Sequence, residues 1–262
     1  MLGTGESELA RLRLQHQVWG PVSEHFLDRL HVDPGMAVLD LGCGPGFLLD
    51  SLHSRIGRRG SITALDASPA WMASLARHVG ERGWTNVHLV VKRIQEADLG
   101  QERYDLIFAR WVLSFLPDVP DLVVRLARAL KPGGVLAVED YNHEGVSLFP
   151  ESEGFRAAIR ATRAWYASKG GDTFIAARLP GIMRRASLDV YEFTPHVLCG
   201  GPDSPAFAWA DAFFPHHTPK MVAAGLLAPA EHEQFVREWE ERKRDGDARF
   251  FSPILMDVAG RK

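Results

Sequence analysis

Five short apolar runs alternating with helical stretches fill residues 37–139, and no other feature constrains this chain as much. The runs are Ala37 to Leu41 (AVLDL), Ser61 to Leu65 (SITAL), Val87 to Val91 (VHLVV), Tyr104 to Ala109 (YDLIFA) and Val135 to Glu139 (VLAVE). Helical patterns lie over Phe47 to Ile56, Ala70 to Val79 and residues 118–131. The last of these has Leu122, Val123, Leu126 and Leu130 on one side and stops at Lys131-Pro132-Gly133-Gly134. Strands that are apolar throughout are buried on both faces, and strand–helix alternation joins them in parallel. The expected class is therefore α/β, with a parallel sheet covered on both sides.

Outside that block the pattern is mixed. The first thirty residues read as helix in two pieces, with Leu9, Leu12 and Val18 roughly on one face and Val22, Phe26 and Leu30 after an interruption at Pro21. Asp33-Pro34-Gly35 closes that segment as a turn. Residues 142–186 show no strand, although Phe155 to Ala167 reads as helix. Strand character returns at Asp189 to Val197, a helical stretch covers residues 205–244, and a last strand runs about Phe251 to Ala259.

A chain of 262 residues fits one large domain, or one domain with an elaborated cap. Lys plus Arg is 30 against 33 Asp plus Glu, a net charge of −3, so no basic surface is on offer for a nucleic-acid backbone. The two cysteines, Cys43 and Cys199, make no disulfide framework. No apolar run approaches the ~20 residues that span a bilayer. With no signal core beside Glu6 and Glu8, a cytoplasmic protein without nucleic-acid or membrane partners is expected.

Chemistry enters at Asp40-Leu41-Gly42-Cys43-Gly44-Pro45-Gly46, at the carboxyl end of the first strand. Glycines there allow a sharp turn and close approach of backbone to a ligand, and the helix that follows offers free N–H groups. In open α/β sheets, ligands bind outside the strands' carboxyl ends. A dinucleotide fingerprint would need glycine at position 47, where Phe47 stands, and no phosphate-cradling G-x-x-x-x-G-K-[ST] occurs. This disfavours an NAD-linked oxidoreductase. An acid before the loop would repel a pyrophosphate but suits an ammonium group. Asp66 ends the second strand, placed to accept from both hydroxyls of a ribose. A ribose and an ammonium with no demand for phosphate point to S-adenosylmethionine.

Residues 36–140 resemble a class I S-adenosylmethionine-dependent methyltransferase of the bacterial small-molecule type. The stretches that carry the resemblance are VLDLGCGPG, ITALDASPAWM, YDLIFARWVLSFLPD and LKPGGVLAVED, in order. It implies a Rossmann-like, doubly wound seven-stranded sheet of order 3-2-1-4-5-7-6 with the last strand antiparallel, N-terminal helices and a helical lid. Residues 1–35 would cover the cofactor site, and 36–262 would form the methyltransferase domain with 142–186 inserted as the lid. By the same resemblance Asp40 and the backbone of Gly42, Cys43 and Gly44 hold the methionine part of the cofactor, and Asp66 takes the ribose. Ala67 lies beside the adenine with Trp71 or Met72. Arg93 and Ile94 stand where an acid and an apolar residue normally meet the adenine; arginine accepts no hydrogen bond, which turns the amino group towards Gln95 or a backbone carbonyl. Arg110 touches the methionine portion, and its side chain, Gln17 or Trp19 reaches the carboxylate.

Methyl transfer from a sulfonium is an in-line displacement, so the enzyme's main work is to bring the acceptor to the methyl group in a dry cavity. An acceptor that must lose a proton needs a base. His143, just past the fifth strand, is the first candidate, with Tyr141 or Asp140 as alternatives; His16, His196 and the His216-His217 pair are others. No further Cys or His spacing completes a metal site around that pair, so no metal is expected. Phe149, Phe155, Trp165, Tyr166, Phe174, Phe207, Trp209, Phe213 and Phe214 supply aromatic walls that suit an apolar or aromatic acceptor. The expected function is methylation of a small apolar or aromatic metabolite. The rivals are a non-methylating S-adenosylmethionine-binding protein, either a sensor or a rearrangement enzyme, and methylation of a macromolecule.

Overall fold

The computed structural model describes residues 5–262; the first four residues of the N-terminal segment lie outside the described residues. In chain order the elements are α1 (Glu6–Arg29), β1 (Ala37–Leu41), α2 (Leu49–Ile56), β2 (Ser61–Asp66), α3 (Pro69–Glu81), β3 (Val87–Val91), β4 (Tyr104–Arg110), α4 (Val119–Ala129) and β5 (Leu130–Asn142). There follow β6 (Ser147–Phe149), α5 (Glu153–Ala167), α6 (Ile175–Arg185), β7 (Asp189–His196), β8 (Cys199–Gly200), α7 (Pro205–Ala223), α8 (Pro229–Arg242), β9 (Arg249–Phe251) and β10 (Ile254–Arg261). The main sheet has seven strands in the order β3-β2-β1-β4-β5-β10-β7. Strands β1 to β5 pair in parallel, and β10 runs antiparallel to both of its neighbours. Counted within the sheet alone this is the expected 3-2-1-4-5-7-6.

Alternation along each strand divides the core into two layers. Leu39, Leu41, Ile107, Ala109, Leu136, Val138 and Val258 face α4 and α6. Val38, Ile62, Ala64, Phe108, Ala137 and Ala259 face α1, α2 and α3. Above the carboxyl edge of the sheet sits a third, aromatic layer in which Phe155, Phe207, Phe214, Phe235 and Trp239 from α5, α7 and α8 pack around Phe250.

Three local expectations are corrected. Helix α1 is continuous through Pro21. The hydrogen bond that proline removes would have gone to the carbonyl of Gln17, and both residues lie on the exposed side of the helix, so that carbonyl is not sealed from solvent. The stretch 142–186 does contain a strand: β6 pairs with β9, which pairs with β8, in a second, three-stranded sheet. Three-residue strands are too short to leave a period-two signal. Within the same stretch α6 places Ile175, Ala176, Leu179, Ile182 and Met183 on the main sheet, so the cover is made by α5, α7, α8 and the small sheet instead. No helix among the described residues is long and apolar enough to cross a membrane.

Candidate active site

The turn after β1 is held by its neighbour strand. The N–H groups of Gly42 and Cys43 both donate to the carbonyl of Leu65, at 2.7 and 3.1 Å, and Gly44 N donates to Asp66 Oδ2 at 2.9 Å. Gly42 has φ +71°, and a Cβ there would lie 2.5 Å from Val112 Cγ2, so only glycine fits. Over Gly44 there is open space. The second oxygen of Asp66 accepts from Ser68 N at 2.8 Å. Asp66 thus fixes the loop from behind while keeping unused lone pairs. Burial and the nearby carboxylates push the Cys43 thiol well up, and its sulfur lies against Met72, so it is no nucleophile.

Strand register builds a polar row beside this loop. Arg110 pairs with Glu139, Glu139 with Asp257, and Asp257 with Thr194, while Asp40 sits opposite Phe108, two residues before Arg110. Pairing and alternation put all these side chains on the face that α1 covers. Helix α1 closes the row with its own polar groups. Arg110 Nη1 donates to Ser23 Oγ at 3.0 Å and to His16 Nδ1 at 3.3 Å. Ser23 Oγ donates to Glu139 Oε1 at 2.8 Å. At the far end Arg29 Nη2 and His196 Nε2 meet Asp257 Oδ2, at 2.6 and 2.7 Å. Burial pushes Asp40 up to about 7 and Glu139 up to about 8, with the Arg110 charge working against both shifts.

Loop and row open into a cavity of about 200 Å³. Asp40, Gly42, Cys43, Gly44 and Arg110 line one end. The other end is aromatic: Trp111 stacks on Tyr141 at 6.0 Å between centroids, Tyr141 meets Trp209 at 6.1 Å, and Phe115 stacks on Tyr166 at 4.8 Å. The Arg110 guanidinium lies 4.6 Å from the Trp111 ring centroid, at the junction of the two ends. Trp111 has φ +54°, uncommon for so bulky a residue, and its N–H donates to the Glu139 carbonyl at 2.8 Å. His143 also lines the cavity, with burial and then Arg163 lowering it to about 3. Its imidazole is therefore neutral across the physiological range. Burial raises the Tyr141 and Tyr166 hydroxyls, which stay protonated.

The cavity brings together Asp40, Gly42, Cys43, Gly44, Arg110, Tyr141 and His143. Asp66 stands one hydrogen bond behind it. Ala67 and Arg93 are exposed, Arg93 with only a 3.9 Å approach to Glu96, and Ile94 is packed in the core under α4. Gln17 is exposed, and Gln15, two residues earlier and so on the opposite side of α1, lines the cavity instead. Trp19 is fully buried against the edge of Trp209 rather than open to the cavity. The buried face of α1 runs through Glu8, Arg11, Gln15, Trp19, Ser23 and Phe26. Its first turns bring Arg11 and Gln15 to the cavity wall, with Glu8 paired to Arg11, so an apolar-face reading misses them. Arg11 is neutralised in place by Glu8, at 2.7 Å, and its Nη1 donates to Gln15 Oε1. A charge among apolar residues in VLAVED was the available signal for Glu139.

A family model described as methyltransferase domain matches residues 32–178, more than half of the chain. Among curated proteins the chain is 28% identical over 125 residues to aklanonic acid methyltransferase of Streptomyces sp. (strain C5), covering 48% of this chain and 57% of that one. It is 29% identical over 114 residues to nocamycin O-methyltransferase of Saccharothrix syringae, covering 44% and 41%. The chain thus spans about half the length of these relatives. Among solved structures, phosphoethanolamine N-methyltransferase 2 of Haemonchus contortus, in complex with S-adenosyl-L-methionine, superposes with a TM-score of 0.56 at 18% identity, covering 91% of this chain and 51% of that one. That likeness is one of fold.

Proposed function

This chain belongs to the methyltransferase domain family, and from that premise we propose that it methylates an oxygen of a small aromatic or apolar metabolite, with S-adenosylmethionine as cofactor. The observation that carries the proposal is the two-ended cavity, with carboxylate and bare backbone at one end and stacked aromatic rings at the other. The residues present fit the cofactor. Asp40 is buried at the cavity end of a row that holds more carboxylates than cations, so a cationic ligand completes it. Gly44 leaves room for a ligand against the backbone, and the free lone pairs of Asp66 suit the ribose hydroxyls. Asp40, Gly42, Cys43, Gly44 and Arg110 would hold the amino-acid portion. Exposed Ala67 and Arg93 would flank the adenine, with Ile94 in the core beneath them. Once bound, S-adenosylmethionine supplies an electrophilic methyl group.

The remaining work belongs to the aromatic end. Trp111, Tyr141, Trp209 and Phe213 exclude water and offer flat faces to an acceptor. His143 and Tyr141 are the catalytic candidates. Neutral His143 accepts a hydrogen bond from an acceptor hydroxyl, and protonated Tyr141 donates one. Because burial has stripped His143 of basicity, the pair suits acceptors that shed their proton readily, such as acidic phenols, enols or carboxylic acids. Relatives named for methylation of an oxygen and of an acid support the choice of acceptor atom.

Calorimetric titration with S-adenosylmethionine and S-adenosylhomocysteine, beside NAD, tests the cofactor end. Micromolar binding of the first two with NAD silent is expected; silence from both would sink the reading. Mass-spectrometric screening of phenolic and carboxylic acceptors then tests the other end, and methyl transfer confined to amines would overturn the assignment to oxygen.

A further inference from the structure

We propose that Glu139 is a positioning residue, acting through Ser23 and Arg110 on the cofactor end of the cavity, and that seating the cationic cofactor discharges a proton from the Asp40–Arg110–Glu139 row. The inference rests on the cofactor reading above and concerns residues that do not touch the acceptor.

Glu139 is fully buried and lies beside Arg110 across the β4–β5 ladder. Its Oε1 accepts from Ser23, whose oxygen in turn accepts from Arg110, so carboxylate, hydroxyl and guanidinium form one chain ending at the cavity wall. Glu139 Oε2 has no hydrogen-bond partner, a costly state for an ionised oxygen without water. Around this chain the charges are unequal. Asp40 faces Arg110 and Asp66; Glu139 faces Arg110 from β4, Asp257 from β10, Ser23 from α1 and Asp140 on its own strand. From α1, Glu24 adds a negative charge towards Arg110, and His16 adds an imidazole whose basicity burial and then Arg110 lower. Arg29 is committed to Asp257 and Glu192. One buried cation therefore serves two buried carboxylates, Asp40 and Glu139.

Two like charges sharing one partner in a dry site do not both ionise. Burial holds Asp40 near 7 and Glu139 near 8, so with the cavity empty of cation one of them retains its proton at neutral pH. A ligand bringing positive charge to Asp40 makes the second ionisation favourable. The carboxyl O–H bond breaks, the electron pair stays on the carboxylate, and the proton passes to solvent. The sign follows from linkage. A proton bound in the free protein and absent from the complex makes binding tighten as pH rises, by up to about tenfold per unit, and level off above the free carboxyl's value. Arg110, no longer shared equally, is drawn by Glu139 and Ser23 into a fixed orientation.

The test is calorimetry on the full chain with S-adenosylmethionine, from pH 6 to 9, in phosphate and in Tris, whose different ionisation heats reveal proton release. Roughly one proton should leave per cofactor bound near pH 7. The ligand's own amine, drawn to Asp40, would take up a proton, so the sign identifies the source. Glu139→Gln should release less than half as much, flatten the pH profile and weaken binding roughly three- to tenfold. Glu139→Asp should restore part of the release, and Ser23→Ala should weaken binding while proton release persists. Binding without proton release in the unmutated chain overturns the inference and leaves the cofactor reading standing. Unchanged release in a folded Glu139→Gln protein does the same. No binding at any pH overturns both.

Discussion

The two ends of the cavity are built by different means. The cofactor end is local: residues 40–46 and Asp66 come from two neighbouring strands, and the loop is fixed by backbone hydrogen bonds to Leu65 and by one carboxylate. The aromatic end is assembled from distant segments, with Arg11 and Gln15 from α1, Trp111 and Phe115 after β4, Tyr141 and His143 at the end of β5, Tyr166 from α5 and Trp209 and Phe213 from α7. The first end depends on backbone conformation that few side chains tolerate. The second depends on side-chain faces that many sequences could supply. Substitutions among the aromatic faces should therefore leave the backbone of the proposed cofactor end in place.

The largest effect should come from breaking the rigid end. Gly42→Ala combines a left-handed backbone, roughly 1–2 kcal/mol for a non-glycine residue, with a collision against Val112. With overpacking it should destabilise the fold by about 2–4 kcal/mol in urea unfolding. Adding Val112→Ala should recover the collision part only, and full recovery would show that backbone conformation is not limiting. Next, Asp66→Ala removes charge-assisted bonds to Gly44 N, to Ser68 N and to the proposed ribose, roughly 1.5–3 kcal/mol. Cofactor affinity should fall by one to two orders of magnitude in calorimetry, and unchanged affinity would remove Asp66 from the site.

The aromatic end should respond more mildly and separately. Trp209→Ala should raise the acceptor KM roughly tenfold, the loss of one large aromatic contact, with the cofactor Kd within about twofold. If cofactor affinity fell equally, the two ends would be one unit and the comparison would fail. His143→Ala should slow turnover at the same cofactor affinity, and the unmutated enzyme should show no activity limb near pH 6.5 from this ring.

The smallest effect is on stability. His143 has a folded value near 3, well below the unfolded 6.5, so the unfolded chain binds its proton first. The neutral ring's contribution is complete above about pH 6.5 and is lost as pH falls towards 3. Between pH 7 and 6 this amounts to about 0.7 kcal/mol. Thermal melts of His143→Asn should have a shallower slope over that interval than the unmutated protein, and parallel slopes would place the imidazole in water.

The sheet is largely legible because its central strands β1, β4 and β5 are buried on both faces and so read as continuous apolar runs, although the edge strand β3 is half open with Val91 exposed. The turn DLGCGPG is legible for a different reason, since its glycines mark backbone conformations that a tight turn at a strand end requires. Helix α1 is not legible at its cavity-facing positions, since Glu8, Arg11 and Gln15 are polar and yet buried, and apolar periodicity carries no trace of them. The small sheet escaped because its strands are two or three residues long.

By itself, then, the sequence determined the strand–helix alternation, the glycine turn and the two aspartates at strand ends, because backbone sterics and local hydrogen bonds act over a few residues. Only the tertiary structure decided that Arg110, Glu139 and Asp257 stand side by side, since that requires β4, β5 and β10 to be adjacent. It alone also brought Gln15, Trp111, Tyr141 and Trp209 around one cavity. Adjacency across a sheet comes from burying apolar faces throughout the molecule, and no short stretch of chain encodes it.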